Sequence, residues 1–173
     1  MTAFDAPTTV LAPGTYRIDP TTTTIAFDTK HMFGLGSVHG SMSVAEGGIV
    51  VAGSLEESSV QVTIDVASFA TPNPKRDDKV RSSALLDATA HPTMSFRSDG
   101  VERRDGAWVV HGRLTVRGTP APVDLVVTDV VATPDGLTAA ATGRVDRTAV
   151  GVTAMKGMVG RYLDLTVSVT ARA

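Results

Sequence analysis

Few residues in this sequence could do chemistry. The chain has 4 histidines and no cysteine, which excludes thiol catalysis, cysteine-ligated zinc, iron–sulfur clusters and disulfides together. His31 shares the alternating phase of Ile25, Phe27 and Thr29, so on a strand it faces inward near a rim. There an imidazole can donate to a carbonyl or phosphate oxygen of a bound molecule, or it can serve as a structural histidine bonded to a neighbouring loop. His39 and His111 have the opposite phase and face outward, so a zinc site built from the three has poor geometry, and no metal is expected. Arg147 shares the phase of Val145 and can meet an anionic group, as can Arg76 and Arg81 from a helix. Salt bridges to Asp77, Asp78 or Asp87 account for the two helix arginines equally well.

The enzymatic motifs are missing. Gly34, Gly36 and Gly40 miss the dinucleotide-binding spacing by one residue and lie between strands, with no helix to present amides to a pyrophosphate. No serine has glycine two residues away on both sides, which leaves no nucleophile elbow. Glu56-Glu57 and Asp77-Asp78 are adjacent pairs, with nothing in the sequence to raise one carboxyl's pKa for general-acid work. No catalytic residue and no cofactor is expected.

The elements that must position these groups read as strands. The 173 residues are rich in β-branched Val (24) and Thr (23), with 16 Gly and 9 Pro to supply turns. Val60, Val62, Ile64 and Val66 alternate with polar residues, and so do Leu163, Leu165, Val167 and Val169. Shorter period-two stretches occur at Ile25/Phe27, Val38/Met42/Val44, Met94/Phe96, Val110/Leu114/Val116 and Leu137/Ala139/Ala141. Eight or nine half-buried antiparallel strands of this kind predict an all-β barrel. One stretch, Asn73 to Asp87, lacks alternation and opens with Asn-Pro. It predicts a short helix with Asp77 placed to pair with Arg81 and with Val80, Ala84 and Leu85 on its apolar face.

Two sequence echoes sit on these strands. Residues 38–44 recur as 110–116, each containing His-Gly, and residues 24–29 recur as 93–98. Offsets of about 70 residues are too long for a solenoid and predict two related hairpins in one barrel.

Charge and length limit the partners. With 16 Lys+Arg against 18 Asp+Glu the net charge is −2, and the pI near 6.0 argues against nucleic acid. No apolar run approaches the roughly 20 residues of a membrane helix, so no transmembrane segment is expected. Met1 to Gly14 has no apolar run resembling a signal peptide, which makes the cytoplasm the expected compartment. The expected organisation is a flexible tail over 1–13 and a single barrel domain over 14–173. Edge and barrel-end contacts leave a homodimer open.

The order of several blocks resembles the YceI-like family of polyisoprenoid-binding, lipocalin-like barrels. Tyr16-Arg17-Ile18-Asp19-Pro20 leads to an alternating strand and Lys30-His31-Met32, as in that family. Its most specific block is met by Arg76-Asp77, Arg81-Ser82, Leu86-Asp87 and the run from Pro92 through Phe96 to Ser98. Gly112 to Gly118, Arg147 to Gly151 and Val159 to Leu163 match the later blocks. The chain departs in carrying Thr22-Thr23 where members usually carry His-Ser, so no histidine contact transfers to that position.

The resemblance implies an extended eight-stranded antiparallel barrel with one short helix near one end. It also implies a long-chain isoprenoid, polyprenyl or quinone-like, held in the lumen without catalysis. With only 5% aromatic residues, the lumen is expected to be incompletely filled. The inward phase assigns Phe27, Met42, Val62 and Ile64 to its lining, together with Met94, Phe96, Leu114 and Val116. Leu85 joins them from the helix, and His31 and Arg147 stand at the rim. For any one of these apolar residues taken alone, a packed core is the better explanation, because inward apolar side chains mostly fill space. Met155 and Met158, within Gly151 to Gly160, suit either a mobile flap or an ordinary loop. Two other readings stay open: a barrel enzyme acting on such a lipid through His31 and a rim arginine, and a filled barrel serving as an interaction module.

Overall fold

The computed structural model describes residues 11–31, 36–154 and 160–173. Nine strands run antiparallel around a closed barrel: β1 (Gly14–Ile18), β2 (Thr24–His31), β3 (Gly36–Val51), β4 (Ser59–Ala70), β5 (Thr93–Arg104), β6 (Ala107–Val116), β7 (Thr119–Thr133), β8 (Gly136–Asp146) and β9 (Tyr162–Arg172). The order from β2 to β9 follows the chain, and β2 pairs with both β3 and β9 to close the ring. β1 occupies the same stave as β2, lower down, pairing Tyr16 with Ile49 of β3 and Ile18 with Ala171 of β9. The barrel therefore has eight staves built from nine strands, and closure leaves no unpaired sheet edge around most of the ring.

Local chemistry explains the connections. β5–β6 and β6–β7 turn over two residues each, Asp105-Gly106 and Arg117-Gly118, with φ of 52° and 81° and of 51° and 77°. These are the doubly positive values of the turn whose twist matches two antiparallel strands. The two echoed segments fall on β2/β3 and β5/β6. In each, a phenylalanine ring of the first strand lies across the glycine of the second. A Cβ on Gly40 would stand 2.3 Å from Phe27 Cζ, and one on Gly112 would stand 2.4 Å from Phe96 Cζ.

The helix α1 (Pro74–Arg81) is shorter than the Asn73–Asp87 stretch predicted for it. Asn73 caps it by accepting from the Arg76 amide, as its sequence position predicts. The Asp77–Arg81 pair is not formed. Asp77 is buried and accepts from both the amide and the hydroxyl of Thr71, at 2.8 and 2.6 Å, while Arg81 donates to Asp78 and to the carbonyl of Phe69. A carboxylate taken out of water needs these fixed donors more than a flexible partner one turn away. Ala84 lies beyond the helix and is exposed; Leu85, in the turn that follows, is buried, with its carbonyl held by Arg117.

The two barrel ends differ. At the end closed by β1, Ile18, Leu137 and Ala171 are each 1% exposed and pack solidly. At the other end the β4–β5 ladder stops at Asp65 and Thr93, and α1 enters where the strands part.

Candidate functional site

The lumen above the packed end is not filled. A cavity of about 170 Å³ opens toward α1, and a smaller one of about 70 Å³ lies deeper, toward β1. Every strand from β2 to β9 except β7 contributes to the larger chamber, and α1 roofs it with Arg76 and Val80. Its walls are apolar: Phe27 stacks on Phe69 with ring centroids 5.1 Å apart, and Met42, Met94, Leu85 and Val116 complete the lining around them.

Of the sequence-assigned residues, Phe27, Met42, Leu85, Met94, Val116 and Arg147 border the larger chamber alone. Val62 and Phe96 border the smaller one, and Ile64 and Leu114 border both. His31 ends β2, and its side chain, like Met155 and Met158, lies outside the described residues. Thr29 and Lys30, just before His31, do reach the chamber mouth. His39 and His111 point outward: His39 meets Asp28, and His111 sits between Asp124 at 2.6 Å and Glu102 at 2.7 Å. Hydrogen bonds to Asp124 and then to Glu102, whose carboxylates accept them, raise the His111 pKa above the ordinary imidazole value.

Charge is confined to the mouth and has one sign. Lys30, Arg76 and Arg147 border the larger chamber, and no carboxylate borders either chamber among the described residues. Arg147 is 6% exposed and serves as a bracket: its Nε donates to the Gly160 carbonyl, and its Nη1 to the carbonyls of Val152 and Ala154. Burial lowers its pKa, and the adjacent Asp146 opposes that shift. Arg76 differs. Its Nη2 donates to Thr71 at 2.9 Å, but its Nε is buried with no acceptor among the described residues. Arg76 borders the chamber, so this unmet N–H lies in a residue of the chamber wall.

Sequence reasoning missed Phe69, Val145, Val150 and Val152, which also line the chamber. Phe69 escaped because β4 changes phase after Val66, where the β3 register jumps from Ser43↔Asp65 to Ser41↔Ala70. Leu163 and Leu165 were legible in the alternation of β9, but nothing in that pattern separates lumen from core.

The geometry agrees with the family comparison. A model of the YceI-like domain matches residues 16–171. The chain belongs to the YceI-like family. This YceI-like chain is 31% identical over 102 residues to a UPF0312 protein of Pectobacterium carotovorum, a match that covers 58% of the chain and only 53% of that relative. The chain thus spans about half the length of that curated relative. Among solved structures, BcnA of Burkholderia cenocepacia superposes with a TM-score of 0.75 at 22% identity, covering 90% of this chain and 99% of that one. A polyisoprenoid-binding domain from Saccharophagus degradans superposes with a TM-score of 0.67 at 15% identity, covering 95% and 99%. At these identities the likeness establishes the shared YceI barrel. No helix among the described residues is long and apolar enough to cross a membrane.

Proposed function

We propose that this YceI-like barrel binds a long-chain isoprenoid lipid, polyprenyl or quinone-like, in its lumen and carries or stores it without chemical change. The observation that carries this reading is an apolar cavity of about 170 Å³ inside a closed barrel, with Lys30, Arg76 and Arg147 as its charged lining among the described residues. Each buried methylene contributes roughly 0.8 kcal/mol, so a long tail binds tightly with little polar recognition. The mouth then needs to do no more than meet one polar head, for which Arg76, whose buried Nε has no acceptor among the described residues, is the candidate once the ligand displaces its surroundings. The polyisoprenoid-binding description of the Saccharophagus domain, which shares the barrel, supports the same ligand class.

Organic extraction of the freshly purified protein, analysed by mass spectrometry beside a denatured blank, tests this reading. A stoichiometric isoprenoid is the expected result. An empty extract, together with a melting temperature unmoved by added polyprenyl lipid, sinks it, because any ligand that binds the native state alone must raise the melting point.

A further inference from the structure

The lumen is not one continuous channel. Four side chains, Ile25 of β2, Ile64 of β4, Leu114 of β6 and Leu165 of β9, border both the larger and the smaller chamber. Their position along the strands shows what they form. Along the chain entering β2, Thr23 just before the strand borders only the deep chamber, Ile25 both, and Phe27 only the upper one. On β9 the same sequence runs in reverse: Leu163 upper, Leu165 both, Val167 deep. β4 repeats it with Val62 deep and Ile64 shared, and β6 with Leu114 shared and Val116 upper. The four therefore lie at one level and come from four different staves, which makes a layer across the barrel.

We propose that this layer is a floor that sets the length of isoprenoid chain the upper chamber accepts. The inference rests on the proposed lumen binding and adds a specificity-determining element to it. Between the level of Ile25 and the mouth at Lys30 the barrel rises about 13 Å, at about 3.3 Å per residue and a tilt of about 40°. A chain long enough to fill that height gains nothing from further units unless the floor yields. The floor is made of branched aliphatic residues: Ile25, Ile64 and Leu114 are buried, and Leu165 is half-buried. Displacing them disturbs close packing, whereas removing atoms from them joins the two chambers. The deep chamber is itself apolar and lies ready to receive the added chain; its one hydroxyl, on Thr23, is already bonded to the Thr170 backbone.

The test uses delipidated protein equilibrated with an equimolar mixture of geraniol, farnesol, geranylgeraniol and solanesol, with bound species weighed by native mass spectrometry. For the wild type, binding should strengthen with chain length up to a break and then level off. Leu165→Ala and Leu114→Ala should move the break at least one isoprene unit longer. They should raise the ratio of the next longer prenol to the preferred one by about tenfold, the equivalent of about two more buried methylenes. Val116→Ala, which opens space only above the floor, should leave the break in place. Ile64→Val, losing a single methyl, covers the case in which an alanine variant fails to fold, and should shift the ratio in the same direction. Binding that rises through solanesol without a break overturns the floor, as does a break unmoved in the folded variants or moved equally by Val116→Ala. Failure of the wild type to take up any prenol overturns the lumen-binding reading and the floor with it.

Discussion

Arg76 and His111 show how differently two polar side chains can stand on one barrel. The buried Nε–H of Arg76 has no acceptor among the described residues, and such a group costs about 1–3 kcal/mol when left unmet. Arg76→Met keeps an unbranched stem against the chamber roof and removes that donor. We expect its ligand-free melting temperature to be unchanged or higher, and its affinity for a polyprenyl phosphate to fall by about tenfold or more. Affinity for the matching headless hydrocarbon should stay the same, with both followed by calorimetric titration; equal losses for the two ligands would reduce Arg76 to a wall residue. His111 lies on the outer surface, and the carboxylates of Asp124 and Glu102 raise its pKa. The group binds its proton more tightly when folded. Its stabilisation is therefore fully present below the ordinary imidazole value of 6.5 and is lost as pH rises through the higher folded value. Melting temperatures of the wild type and His111→Gln, measured across that interval, should converge on the alkaline side; a constant difference would show that protonation is not involved.

The helix α1 and the strands beside it decide whether the barrel has a mouth. Thr71, at the end of β4, donates its amide and hydroxyl to buried Asp77, and Arg81 reaches back to the Phe69 carbonyl. Asp77→Ala strands both Thr71 donors. At about 1.5–3 kcal/mol for a hydrogen bond to a charged group, a loss of about 3 kcal/mol is expected in denaturant melts. Asp77→Asn, which keeps an acceptor, should recover part of it. If Asp77→Ala melts like the wild type, α1 is held by its apolar contacts alone. The strands with clean alternation, on β4 and β9, were readable from sequence because period two is unambiguous where one face meets a core. β7 was not legible in the alternation, since Pro120 and Pro122 demote a strand. Both prolines pair with β6, but the β8 ladder begins only at Leu125, so the missing N–H groups deprive no partner. The helix start was legible in Asn73-Pro74, whereas its pairing was not, because burial of Asp77 is set by β4 and not by α1 itself.

At the scale of the whole molecule, closure and porosity come from different parts of the sequence. Eight staves and the inward phase of most lining residues follow from alternation, but a packed barrel and a hollow one present the same alternation. What separates them is the summed volume of side chains from eight strands at each level, which no local window contains. The seams of the ring are also unequal. β4 and β5 pair only over Gln61–Asp65 against Thr93–Arg97, and β2 and β9 only over Thr24–Asp28 against Asp164–Ser168, whereas β8 and β9 pair along Gly136–Asp146. At the packed end β1 bridges β3 and β9, so the β2–β9 seam is reinforced below, whereas above the ladder it is crossed by a side-chain bond from the Thr29 hydroxyl to the Tyr162 carbonyl. Both short seams therefore loosen toward the mouth, where α1 and Lys30 border the larger chamber. Segments with few ladder bonds open at lower free energy than the global unfolding, and a ligand that fills the lumen must order them first. Amide hydrogen exchange with and without a saturating prenol should show the greatest gain in protection in α1 and in the mouth ends of β2, β4 and β5. The β8–β9 ladder near Leu137 and Ala171 should change little, since it already packs solidly. A gain confined to β7 and β8, or one spread evenly around the ring, would mean that lipid enters by another route and that the loose seams serve only the folding of the barrel.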